Sequence, residues 1–154
     1  MEKSFHPHLT HIFEDGAVYF VTSSTVNRLP LPPPARKKIL EVIIHPADGL
    51  YEIFAVCVMP DHFHAILQPC RMENREWAKL DKVMFRIKGA SARYANGIME
   101  RTGALWERGY FNRIIKKEND YSTSMNYLVM NPVKAGLAPR PEDYEFTWIV
   151  GMEK

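Results

Sequence analysis

The nineteen residues YEIFAVCVMPDHFHAILQP, 51–69, constrain the fold more than any other stretch. Two runs rich in β-branched and aromatic residues, 51–60 and 62–69, meet at MPD, where Pro and Asp favour a tight turn. That pattern reads as a β-hairpin. Upstream, AVYFVTSSTV (17–26) reads as another strand. The proline cluster LPLPPPA (29–35) is a turn or short extended connector. ARKKILEVIIHP (35–46) reads as a helix with an apolar stripe at Ile39, Leu40, Ile43 and Ile44. Pro34 suits its first turn and Pro46 its end.

Downstream of the hairpin, 76–100 is the longest helical pattern. Val83, Ile87, Ala90, Tyr94 and Ile98 form an apolar stripe, and Lys79, Lys82, Arg86 and Arg93 a basic one. ALWERGYFNRIIK (104–116) reads as a fourth strand. NDYSTSMNYLVMNPVKAGL (119–137) reads as a helix that ends or bends near Asn131–Pro132. The aromatic residues of PEDYEFTWIVG are placed to pack back on the body. The resulting order is β-α-β-β-α-β-α. Its first six elements match the α+β ferredoxin-like (RRM-like) topology: a four-stranded antiparallel sheet with helices on one face, here followed by a C-terminal helix. That order hosts many activities and settles none. The 154 residues suffice for one domain with a sizeable core, residues 1–16 being expected as a flexible N-terminal arm.

Composition narrows the class. Apolar residues make up 46% and charged residues 25%, ordinary for a globular protein. No apolar run approaches the roughly 20 residues that span a bilayer. MEKSFHPHLTHIFEDG lacks an apolar signal core, so secretion is not expected. Cys57 and Cys70, the two cysteines, make no disulfide framework, and a reducing cytoplasm is the simplest home. The net charge is only +2, but its distribution is uneven. Residues 79–134 hold eleven Lys/Arg and five acids, whereas the rest of the chain is net acidic. Such asymmetry builds a local positive field, although solvated helix faces are the plainer explanation.

His62 and His64 stand two apart on a strand and therefore share a face, with Phe63 on the other. Two neutral imidazoles so placed are a bidentate metal clamp, or simply two half-exposed histidines without a ligand. Two completions are open. Cys57 and Cys70 would make a zinc set, but their spacing is unlike the usual Cys-x2–4-Cys knuckles. Alternatively, Tyr127 and Asn131 lie one helical turn apart on one face. Asparagine offers a neutral oxygen to a hard cation, and tyrosine a phenol nucleophile. Their plainer roles are a core aromatic at Tyr127 and, at Asn131, an N-cap to a short turn PVKAG that Gly136 ends.

In combination these residues resemble a family. DHFHAILQP resembles the HUH motif. FRIKGASARYANGI, WERGYFNRIIK and DYSTSMNYLVMNPVKAGL resemble, in the same order, the basic helix and C-terminal half of REP-associated tyrosine transposases, relatives of the single-tyrosine HUH transposases of small insertion sequences. The similarity runs over residues 17–148. It implies an RRM-like fold and metal-dependent cleavage and rejoining of single-stranded DNA, with hairpin repeats as the expected substrate. On the matching positions, Tyr127 is the nucleophile, with Tyr121 the fallback. His62, His64 and Asn131 are ligands for Mg2+ or Mn2+. Asn131 stands where the insertion-sequence relatives carry glutamine, which shortens the reach to the metal. Lys79, Lys82, Arg86 and Arg93 are expected to hold DNA phosphates, with Arg108, Arg113 and Lys134. Trp106, Tyr110 and Phe111 are candidates for base stacking, at least two of them being better explained as core. The family contains monomers and homodimers, and either state is open. The alternative is a domesticated hairpin-DNA-binding protein without catalysis. An RNA-binding RRM is disfavoured, because no strand carries the glycine-and-aromatic RNP1 pattern.

Overall fold

The computed structural model describes residues 13–46 and 48–152. Its elements run β1 (Val18–Ser24), α1 (Pro33–Ile44), β2 (Tyr51–Val58), β3 (His62–Pro69), α2 (Leu80–Met99), β4 (Phe111–Ile115), α3 (Glu118–Lys134) and β5 (Thr147–Ile149). The sheet is antiparallel in the order β4-β1-β3-β2-β5. Its first four strands have the expected ferredoxin-like order. The fifth corrects the four-strand expectation. β5 is three residues long, too short to show a period, and forms because the aromatic tail returns to β2. Tyr144 donates from Oη to Val58 O at 2.6 Å, and Val58 N donates to Phe146 O at 2.9 Å.

Strand alternation sorts the β3 side chains onto two faces. Phe63, Ala65 and Leu67 point to the α1/α2 side, and each is 0% exposed. Phe63 packs edge-on to Trp106, whose Nε1 donates to Ser91 Oγ of α2 at 2.9 Å. Tyr51 Oη on the same side donates to Ile43 O of α1. The opposite face carries His62 and His64 and is crossed by α3, where Tyr127 meets His64 and Phe20.

Several boundaries differ from the sequence expectation. α2 begins at Leu80, because Trp77 bridges back to Arg71 in a small loop hairpin. Its buried stripe is Leu80, Val83, Met84, Ile87, Ser91 and Ala95, while Tyr94 and Ile98 are exposed. The stripe passes through Ser91 because its hydroxyl bonds back to Ile87 O, at 2.6 Å, and accepts the Trp106 N–H. Residues 104–110, expected in a strand, are irregular. Lys88 Nζ donates to Glu107 O (2.7 Å) and Gly109 O (3.0 Å), replacing ladder partners.

α3 continues through Pro132 instead of ending at Asn131. Asn131 is therefore a helical residue, not the cap of a separate turn. Gly136, with φ +77°, closes the helix: its N–H reaches Val133 O and Leu137 N–H reaches Pro132 O, a Schellman end. Of the expected N-terminal arm, residues 1–12 lie outside the described residues. Residues 13–16 are tied down by bonds between Glu14 and Tyr19 Oη and from Gln68 to Gly16 O.

Candidate active site

His64 sits mid-sheet, in register with Thr22 of β1 and Cys57 of β2. It is 5% exposed. The His62 and His64 rings lie 4.8 Å apart at 75°. His62 Nδ1 is 2.8 Å from Asp61 Oδ1. A carboxylate only accepts, so that nitrogen carries a proton, and with one proton on the ring the lone pair is on Nε2. His64 Nδ1 is 2.8 Å from Thr22 Oγ1. With Nδ1–H donating to that hydroxyl, Nε2 again holds the lone pair. His64 Nε2 is buried and has no hydrogen-bond partner among the described residues. Burial, and secondarily the neighbouring His62, push the His64 pKa down to about 3, so the ring is neutral at physiological pH. A buried ring nitrogen without a partner is costly, and in that tautomer it offers its lone pair to an electrophilic occupant.

α3 brings the tyrosine. Ser124, Leu128 and Pro132 are its buried residues and set it on the sheet. The Tyr127 ring then lies 5.5 Å from His64 and 5.9 Å from Phe20, while remaining 46% exposed. Phe20 closes the cluster, 5.3 Å from His64. Asn131 is half-buried and one turn further along α3, about 6 Å by helical rise. No hydrogen bond or ring contact among the described residues ties it to the histidines. Tyr121 belongs elsewhere: it packs on Phe54 of β2 at 6.3 Å, and its partial burial raises its pKa.

The basic residues divide. Arg113 of β4 lies over the Phe20 ring at 5.4 Å and is held by Asp120 (2.8 Å) and Ser124 (2.9 Å) of α3. Lys134 is exposed in the last turn of α3. Lys82, Arg86 and Arg93 lie on α2, with Lys79 at its N-cap, on the other side of the sheet from Tyr127. Lys79 and Arg86 are paired with Asp15 and Asp48. Arg108 is exposed on the loop beside α2. The structure thus sets the four residues of α2 and its N-cap away from the histidines, whereas Arg108 follows Glu107, whose N–H donates at 2.8 Å to Ser24 O, in register with His62.

Of the aromatic candidates, Trp106 and Tyr110 are core: each is nearly buried, and Tyr110 bonds to Asp81. Phe111 is 45% exposed and in register with Thr22, on the site's face. The zinc set is not assembled. Cys57 receives the Thr147 hydroxyl at 3.5 Å and is pushed up to about pKa 11 by burial. Cys70 lies beyond the end of β3, about 20 Å along the strand from His64. No group of three or more His, Cys, Asp or Glu poised for a metal occurs among the described residues.

Sequence reasoning missed Asp61, Thr22 and Phe20. Asp61 adjoins His62 and was legible as a neighbour. Thr22 and Phe20 needed the β1–β3 register, which the sequence does not print.

This pairing of a sheet-borne His-x-His with a helix-borne tyrosine occurs on a transposase fold. A solved REP-associated tyrosine transposase bound to a REP hairpin superposes with a TM-score of 0.74, covering 96% of this chain and 82% of that one at 21% identity. A Deinococcus radiodurans protein described as a transposase matches with a TM-score of 0.53 over 82% of this chain and 95% of its own, at 19% identity. Residues 34–131 match the family model described as "Transposase IS200 like", and the chain belongs to that family. A Haemophilus influenzae protein described as a REP-associated tyrosine transposase is 26% identical over 102 residues, 63% of this chain. The match spans 58% of that relative's length.

Proposed function

We propose that this chain is a metal-dependent single-stranded DNA endonuclease and strand transferase of the REP-associated type, acting on hairpin repeat DNA. The carrying observation is Tyr127, its ring 5.5 Å from that of a buried histidine whose Nε2 has no partner among the described residues. Family membership and the solved relative with its REP hairpin support the substrate class.

The donors fit a divalent cation: an Nε2 lone pair on each of His62 and His64, with the Asn131 amide oxygen as third candidate. Mg2+ or Mn2+ held there would offset the charge that builds on a scissile phosphate. Tyr127 Oη would bond to phosphorus as the bond to the 3′ oxygen breaks. The phenol proton ends on the departing 3′-hydroxyl and the 5′ end stays on the tyrosine. One phosphodiester replaces another, so a second 3′-hydroxyl can reverse the step and join strands. Arg113 and Lys134 would contact phosphates near the cut, and exposed Phe111 would stack on a base. The basic residues of α2 would contact a different part of the DNA from the scissile phosphate, because they lie across the sheet.

The test is incubation with labelled hairpin repeats in Mg2+ or Mn2+, then a denaturing protein gel. A metal-dependent band that disappears in Tyr127→Phe supports the reading. Hairpin binding with metal bound and no covalent band would establish the non-catalytic alternative.

A further inference from the structure

The turn that precedes the histidine pair is anchored more heavily than a hairpin turn needs. Asp61 O accepts from Thr25 N at 2.9 Å and lies 3.2 Å from Thr25 Oγ1, and Thr25 is fully buried. Pro60 O accepts from Leu31 N at 2.7 Å, and Met59 N donates to His62 O at 2.7 Å. The anchoring segment is strained. Asn27 and Arg28 have φ of 51° and 56°, two consecutive non-glycine residues in the left-handed region. Asparagine tolerates that region better than arginine, whose N–H makes only a 3.3 Å turn bond to Thr25 O there. The conformation sets Arg28 Nη1 3.4 Å from Asp61 Oδ2, while Asp61 Oδ1 lies 2.8 Å from His62 Nδ1. The carboxylate thus lies between an exposed guanidinium and the imidazole.

From this geometry we infer that Asp61 is a positioning residue, held by Arg28, that fixes His62 with its proton on Nδ1 and its lone pair on Nε2 for a hard divalent cation. This rests on the metal-site reading of His62 and His64. A carboxylate behind a ligating imidazole fixes ring orientation and raises ligand basicity, and its loss commonly costs ten- to hundredfold in metal affinity. Asp61→Asn preserves volume and the turn's backbone bonds. Its amide can donate to Nδ1, which turns the ring into the other tautomer and presents an N–H where the lone pair belongs.

The experiment uses the full chain and two readouts. Long-range 1H–15N spectra without metal report the His62 tautomer, the resonance being assigned by its loss in His62→Gln. Mn2+ titration by calorimetry reports affinity. The expected result is an Nδ1–H tautomer in the parent, its loss in Asp61→Asn, and a Kd for Mn2+ about 10- to 100-fold higher, with an unchanged circular dichroism spectrum. Arg28→Gln should raise the Kd by less. An Asp61→Asn protein that keeps the Nδ1–H tautomer and binds Mn2+ within twofold of the parent overturns the role of Asp61. A parent that binds no Mn2+ removes the metal site itself, and the metal-free tautomer then decides on Asp61 alone.

Discussion

The two faces of β3 carry different kinds of residue at adjacent positions. On the α1/α2 face, Phe63, Ala65 and Leu67 are sealed in a dry core. On the α3 face, His62 and His64 meet Asp61, Thr22, Phe20 and the half-exposed Tyr127. A strand alternates its side chains, so one run of eight residues can do both jobs. The proposed function divides stability from chemistry by sheet face, so substitutions one residue apart should fail in different ways.

The largest expected effect is on the chemical face. Tyr127→Phe should reduce covalent DNA product to background, a loss of about a thousandfold or more, with the thermal midpoint unchanged. Gel quantitation beside a melt checks both halves. On the dry face, Phe63→Ala should cost about 3–5 kcal/mol of stability by denaturant titration, through lost burial and a cavity against Trp106. Ser91→Ala should cost about 1–3 kcal/mol, because it strands the buried Trp106 N–H. That change leaves the histidines untouched, so metal affinity should not move.

Two smaller effects sharpen the division. Cys57 sits on the chemical face but is capped by Thr147 and pushed up to about pKa 11, from 9.0. A raised thiol pKa means less thiolate at pH 8, so Cys57 in the folded chain should alkylate at least about a hundredfold more slowly than after unfolding. Iodoacetamide labelling with peptide mapping measures this. Lys82→Ala, on exposed α2, should weaken hairpin binding modestly and lower the salt slope by about 1, leaving strand cleavage of bound DNA unchanged. A loss of cleavage chemistry in that variant would break the separation of the faces.

Much of this organisation was legible in the sequence. The element order, the shared face of His62 and His64, and the one-turn spacing of Tyr127 and Asn131 follow from periods of two and 3.6. What was hidden depends on tertiary partners. β5 is too short to show a period and exists because Tyr144 and Phe146 return to β2. The expected stripe of α2 ran through Ala90 and Tyr94, whereas the buried one runs through Ser91, which receives the Trp106 N–H. The basic stripe of α2 was grouped with Arg113 and Lys134 as phosphate contacts, but a sequence does not say which face of the sheet a helix covers. Thr22 and Phe20 became site residues only through the β1–β3 register, while Asp61 was visible as the neighbour of His62.

The central claim is that Tyr127 is the nucleophile beside the histidine pair. Mass spectrometry of the protein after reaction with a hairpin oligonucleotide and Mn2+, followed by nuclease and protease digestion, tests it most directly. The account predicts a 5′-nucleotidyl adduct on the peptide containing Tyr127, absent with chelator. An adduct on Tyr121, or none despite bound hairpin and bound metal, would contradict it.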